Sequence, residues 1–319
     1  MAMKRPRPVD LRKLKTYSVA KRGHKVAVRG LAGLPGRGAT FAKWLDALPD
    51  FLGAAALRKA AERIVAARRA GRPVVLALGA HVIKVGCSPI VADLIERGAV
   101  TALSMNGATA IHDAELALFG ETSEEVAETI RDGRFGMVRE TAEFFGAAAK
   151  RGAAIGLGAA VGELLAKRRA ANGKNSVLLA ARRAGIPACV HVAIGTDTIH
   201  MHANVDGGKL GAASAADFRM ICGVVAELGA AKTGGAGGVW CNVGSAVILP
   251  EVFLKAVAVA RNLGHDLDAM HTINLDMLRH YRPQQNVLSR PVARGHGIEI
   301  IGQHEITLPL LRQAIVEAM

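Results

Sequence analysis

From Ala54 onward the chain alternates between two hydrophobic patterns. AALRKAAERIVAARRAG reads as a helix ending at Gly71, and PVVLALG (Pro73 to Gly79) is a continuous apolar run between turn signals, the mark of a buried strand. SPIVADLIERG is a helix with Ser88 as N-cap and Pro89 in its first turn. AVTALSM follows as a second strand, and NGATAIHDAELALFG as a loop leading into a helix. More helix is expected from Ser123 to about Arg169, interrupted near Gly152. SVLLAARRAG is helix, IPACVHVAIG strand, SAADFRMICGVVAELG helix and GGVWCNVG strand and turn. LPEVFLKAVAVARNLG is helix, DAMHTINLD strand, GIEIIG a late strand and EITLPLLRQAIVEAM the closing helix. Strands alternating with helices of this length predict an α/β fold: a mostly parallel, Rossmann-like sheet with helices on both faces.

Residues 1–53 stand outside that rhythm. KRPRP cannot be helical, and GLAGLPGRG (Gly30 to Gly38) is a flexible turn region without the G-K-[ST] ending of a phosphate loop. The expected division is a basic arm over 1–53, packing on the domain or on a neighbouring subunit, and one Rossmann-like domain over 54–319. The composition suits this reading, with 50% hydrophobic residues, 36 glycines and only 4% aromatics. Four scattered cysteines without a C-x-x-C argue for reduced, mostly buried thiols in the cytoplasm. The basic N-terminus lacks the apolar core of a secretion signal, and no apolar run is long enough to span a membrane.

The net charge of +14 raises the question of nucleic acid. Much of the excess is arginine on helix faces such as Arg63, Arg68 and Arg69, and no aromatic-interleaved basic stripe accompanies it. Nucleic acid and membrane are therefore not the expected partners; a small molecule is. Ligands of open parallel sheets bind beyond the C-terminal strand ends. There the sequence places GAHVIKVG, MNGATAIHD, IGTDTIHMHANVDGG, CNVGSA and NLDMLRHYRP, polar segments most of which carry glycine.

The order of these loops resembles the deoxyhypusine synthase family. GKNSVLLAARRAGIPACVHVAIGTD looks like that family's G-K, S-V, helix, I-P-V, strand and T-D segment. VTALSMNGATAIHD is similar to its strand, threonine/glycine turn and following acidic helix, and GGVWCNVGSAVILPEVF, HTINL and EIIGQHEITLPLL to its later strands and turns, so the resemblance runs over about residues 70–319. It implies an NAD-binding, Rossmann-like homotetramer with active sites between subunits. It places Ala80, His81 and Lys84 on the cofactor side of the first loop and Asn106, Gly107 and Ala108 at the second, with His112 near the family's cofactor-facing acid. Asp197 matches the T-D aspartate, Val243, Gly244 and Ser245 the glycine turn, and Gln303, His304 and Glu305 the last polar cluster.

The departures bear on chemistry. The family's nucleophilic lysine belongs in the segment that here reads NVLSRPVARGHG, which holds no lysine, tryptophan or acid. Arg282, Arg290 and Arg294, with His280, suit a carboxylate or phosphate better than a polyamine; salt bridging is the plainer role for Arg282. The expectation is an NAD-binding enzyme acting on an anionic or neutral small molecule, with transferase or oxidoreductase-like chemistry, rather than a genuine deoxyhypusine synthase. His200 and His202 are candidate acid/base groups beside Asp197. If GTDTIHMHANVD is a strand, His200 and His202 share a face, and a metal-dependent hydrolase or isomerase is the alternative. A non-catalytic nucleotide- or nucleic-acid-binding scaffold is a third.

Overall fold

Strand β1 (Val74–Leu78) is buried along its whole length, and its residues divide by parity. Val74, Leu76 and Leu78 join one apolar cluster, Val75 and Ala77 another. A strand buried on both faces needs a covering layer on each, which is why its sequence is unbroken Val, Leu and Ala. The computed structural model describes residues 6–231 and 234–319. The start of the basic N-terminus, residues 1–5, lies outside the described residues.

The other strands are β2 (Ala102–Asn106), β3 (Ala188–His191), β4 (Val239–Val243), β5 (His271–Asp276) and β6 (Gly297–Ile301). All pair parallel in the order β3-β2-β1-β4-β5-β6. The expected α/β class, a parallel Rossmann-like sheet with helices on both faces, is therefore the observed one. Leu78 lies opposite Met105 on one side and Val243 on the other, so these strands end level at one rim. The chain reverses its direction of travel between β1 and β4, the usual ligand crevice of such sheets.

The helices are α1 (Phe41–Asp46), α2 (Leu52–Arg69), α3 (Ala80–Lys84), α4 (Ser88–Glu96), α5 (Gly107–Phe119), α6 (Val126–Thr129) and α7 (Arg139–Ile155). Then come α8 (Leu157–Lys167), α9 (Val177–Ala184), α10 (Gly207–Ala226), α11 (Ile248–Asn262), α12 (Tyr281–Asn286) and α13 (His304–Ala318). The larger cluster draws on α2 to α5, α7 to α9, the first half of α10 and α13, the smaller on the second half of α10 and on α11. In the smaller cluster Trp240 stacks on Phe253 at 4.4 Å between centroids. Two buried aspartates tie helix starts to the frame. Asp113 on α5 accepts from Ser176 and the N–H groups of Val177 and Leu178, and Asp217 on α10 accepts from Gly158 and Val190.

Several local expectations change. Cys87, not Ser88, is the N-cap of α4, because Ser88 already has helical geometry. No loop precedes α5: Asn106 is both the last residue of β2 and the cap, its Oδ1 accepting from the Thr109 N–H at 2.8 Å. The continuous helix expected from Ser123 is instead the short α6 and an irregular stretch with Gly133 and Gly136 at positive φ, before α7 begins. The break between α7 and α8 falls at Gly156, whose φ of 93° and a Cβ position only 2.0 Å from Asp217 exclude other residues.

Candidate functional site

A cavity of about 420 Å³ opens above the β1–β2–β3 half of the rim. Three segments build it: the end of α3 with Lys84, the face of α5 with Ala108, His112 and Glu115, and the stretch after β3 with Asp197 and His202. The excursion between α5 and α7 closes it, contributing Glu121, Thr122 and Glu124, with Thr141 from the first turn of α7. Its volume suits a small metabolite. In a chain of net charge +14, its wall carries four carboxylates (Glu115, Glu121, Glu124, Asp197) and a single lysine, Lys84.

Asp197 is 6% exposed, and its Oδ2 has no hydrogen-bond partner. Burial pushes its carboxyl up to about 6, against the hydrogen bond it accepts from the Ala108 N–H. Gly107 makes this approach possible, since a Cβ there would lie 2.0 Å from Asp197 Oδ2. His200 stands behind Asp197. Its Nδ1 accepts from the N–H of Gly195 at 3.0 Å, so its proton sits on Nε2, 3.8 Å from Asp197 Oδ2. His202 Nε2 donates to the Gly136 carbonyl at 2.9 Å, tying the wall to the excursion. These histidines lie on and just after a 3-10 turn (Thr198–Met201), not on a strand. The shared strand face expected for a metal pair is therefore absent, and among the described residues no three His, Cys, Asp or Glu side chains are arranged to hold a metal ion.

The other half of the rim is filled by protein. A Cβ on Gly79 would lie 1.9 Å from the Gly244 carbonyl oxygen, and the Gly79 N–H donates to Val243 O at 2.8 Å. His304 covers Gly244, its Nε2 2.9 Å from where a Cβ would stand, and faces His81 at 5.7 Å between ring centroids. His304 is fully buried with both ring nitrogens unpartnered, and burial lowers its pKa. Ser245 Oγ accepts from Leu249 N–H at the start of α11, while Asn242 holds the turn by donating to Ser245 O. Gln303 is the N-cap of α13, Glu305 is exposed in its first turn, and Ala80 opens α3. These glycines thus serve close contact between the turns after β1 and β4.

None of Arg282, Arg290, Arg294 or His280 lines the cavity. Arg282 bridges to Glu251 at 3.2 Å, and Arg290 donates to Asn286 Oδ1 at 2.9 Å and to the Tyr281 hydroxyl at 3.3 Å. Arg294 is exposed beside the amino end of β6, far along the strand from the rim, and His280 is the N-cap of α12. The side chains that sequence reasoning missed are Glu115, Thr122, Thr141 and Glu124. Glu115 had a signal, its three-residue spacing from His112 on one helix; Thr122 and Glu124 arrive on the excursion, whose course had none, and Thr141 on α7, where nothing in the sequence sets it apart.

The family profile described as arginine dihydrolase ArgZ-like, C-terminal, Rossmann fold matches residues 58–137. No curated protein matches the sequence. Among solved structures, AgrE in ternary complex with ornithine and NAD+ aligns with TM-score 0.54 at 14% identity, over 82% of this chain and 33% of that one. A protein of Methanococcus maripaludis S2 assigned as LOR/SDH aligns with TM-score 0.51 at 14% identity, over 83% and 70%. A protein of Entamoeba histolytica assigned as a deoxyhypusine synthase aligns with TM-score 0.50 at 11% identity, over 88% and 94%. The chain spans about a third of the length of AgrE. These likenesses are of fold. They support a group of related Rossmann-like proteins in which the resemblance to deoxyhypusine synthase is one among several.

Proposed function

We propose that this protein is an enzyme acting on a small amine-bearing molecule, bound as its cation in the cavity above β1–β3. The observation that carries this is the acidic wall, in which Glu115, Glu121, Glu124 and Asp197 stand against the single lysine Lys84. An ammonium about 4 Å from a carboxylate gains about 4 kcal/mol at the effective dielectric of a protein surface, and an anion there loses as much. The anionic substrate expected from the arginines gives way to this reading, because the arginines point elsewhere. That AgrE was crystallised with ornithine supports the ligand class. In this reading Asp197 is the counter-charge that holds the ammonium, and His200 and His202 hold its surroundings.

NAD remains part of the proposal through the shared fold with an NAD+-bound protein. If bound, it would use the strand-end rim, with Lys84, Ala80 and His81 nearest, and supply hydride chemistry; no step of the proposed chemistry runs through it. The homotetramer is likewise a proposal, read by light scattering after gel filtration. The functional test is calorimetric titration with ornithine and spermidine against phosphate and citrate. Saturable binding of an amine, weakened in Asp197→Asn, is expected. Binding of the anions instead overturns the reading.

A further inference from the structure

Thr122 has one hydroxyl proton and two neighbours that could take it. Its Oγ1 lies 2.6 Å from Glu115 Oε2 and 2.7 Å from His112 Nδ1. The other oxygen of Glu115 accepts the Thr141 hydroxyl at 2.7 Å. A carboxylate has no proton to give, so Thr122 donates to Glu115 and accepts from His112. That fixes the imidazole proton on Nδ1 and leaves the lone pair on Nε2, for which no hydrogen bond exists among the described residues. His112 and Glu115 sit one turn apart on α5, with ring and carboxylate 4.0 Å apart. Gly120, left-handed at φ 83°, turns the chain so that Thr122 reaches between them. Burial lowers the pKa of His112, with Lys84 adding and Glu115 opposing, so the ring is neutral at pH 7.

We propose that His112 Nε2 is the proton acceptor of this cavity, with Thr122 and Glu115 as positioning residues that set its tautomer and stabilise the imidazolium. The inference rests on reading the cavity as the substrate site. An amine held there as its ammonium must lose a proton before its nitrogen can act as a nucleophile. In the step, a ligand N–H bond breaks, the electron pair stays on nitrogen and the proton moves to Nε2. No electron is transferred and no co-reactant is needed. The new positive charge faces Glu115 through the Thr122 hydroxyl, the arrangement in which a third group orients and supports a base.

The test is nitrogen-15 NMR of the full-length, ligand-free protein with labelled imidazoles, His112 being assigned by its loss in His112→Gln. Wild type is expected to show His112 with Nδ1 protonated and Nε2 bare at pH 8. Thr122→Val is expected to lose that preference, and Thr122→Ser, which keeps the hydroxyl, to restore it. Glu115→Gln is expected to lower the His112 pKa. An Nε2-protonated ring in wild type, or an unchanged tautomer in Thr122→Val with native-like spectra elsewhere, overturns the proposal. Because the tautomer is read without ligand, its failure is distinct from a failure of amine binding in the calorimetric titration.

Discussion

The cavity wall and the arginine-rich segment after β5 differ in where their charges end. Along the segment, two of the four arginines are neutralised locally. Arg279 pairs with Glu299, and Arg282 joins Lys255 and Asn286 around Glu251. Along the wall, Glu115 is satisfied by hydroxyls and Glu124 accepts a backbone N–H from Gly136, while Asp197 keeps an oxygen without any partner. A run of like charges in sequence is thus a poor guide to a site when its counter-charges lie one strand or one helix away. One buried, unmatched carboxylate is a better guide, since leaving it unpaired is costly and needs a reason.

The strongest way to break this comparison is Gly107→Ala. The added Cβ falls 2.0 Å from Asp197 Oδ2 and 3.0 Å from Oδ1, so the carboxylate must leave its position. Stability should fall by about 1–3 kcal/mol in thermal or denaturant unfolding, the usual cost of overpacking. Amine binding should drop below detection by calorimetry. A variant that binds as wild type would mean that Asp197 has no part in the site.

Asp197→Asn separates binding from stability. Amine affinity should fall by about 10- to 100-fold, as the loss of a charge-assisted contact does. Stability should move the other way. The folded carboxyl titrates at about 6, above its ordinary 3.8, so the folded state holds the proton more tightly. Its contribution is fully present below pH 3.8 and is lost as pH rises through about 6. At pH 8 the asparagine variant should therefore be more stable than wild type by about 1–3 kcal/mol, and at pH 4 only slightly different. Asp113→Asn, by contrast, disturbs three accepted hydrogen bonds and should not stabilise at either pH. Denaturant midpoints across that range decide the matter.

The sequence carried the frame further than the site. Strand β1 announced itself because a parallel sheet covered on both faces demands a continuous apolar run, as PVVLAL shows, whereas edge strand β6 keeps Glu299 and alternates in burial. Asp197 stood out through the T-D resemblance in the loop after β3, and it lies on the cavity wall. Helix α12 was not, since HYRPQQN has no apolar period to detect. Nor was the excursion, where positive-φ Gly133 and Gly136 cut short what its residues suggested was a helix. Thr122 and Thr141 owe their meeting at Glu115 to that excursion, so no spacing along the chain could reveal it. The arginines misled for the converse reason: Glu251 lies on α11 and Glu299 on β6, outside the window in which the arginines cluster.

Binding should also sharpen the contrast through pH. If the amine needs ionised Asp197, affinity falls as pH drops through about 6, by up to about tenfold per unit below it. Wild-type titrations at pH 5, 6 and 7.5 in one buffer series would show that slope, and Asp197→Asn should flatten it. A pH-independent affinity would place the cation's partner elsewhere on the wall.

The smallest effect belongs to the segment that the sequence made most conspicuous. Arg282→Ala removes an exposed bridge to Glu251, which keeps Lys255 and the Asn286 amide as partners. Bridges of this kind contribute about 0–1 kcal/mol, and here the remaining partners reduce the loss further. The variant should unfold within about 0.5 kcal/mol of wild type and bind an amine with unchanged affinity. Its side chain reaches Glu251 on the first turn of α11, a helix that does not contribute to the cavity wall. A tenfold change in amine affinity in Arg282→Ala would therefore mean that the two regions are coupled, and that the charges after β5 act on the ligand from outside the cavity.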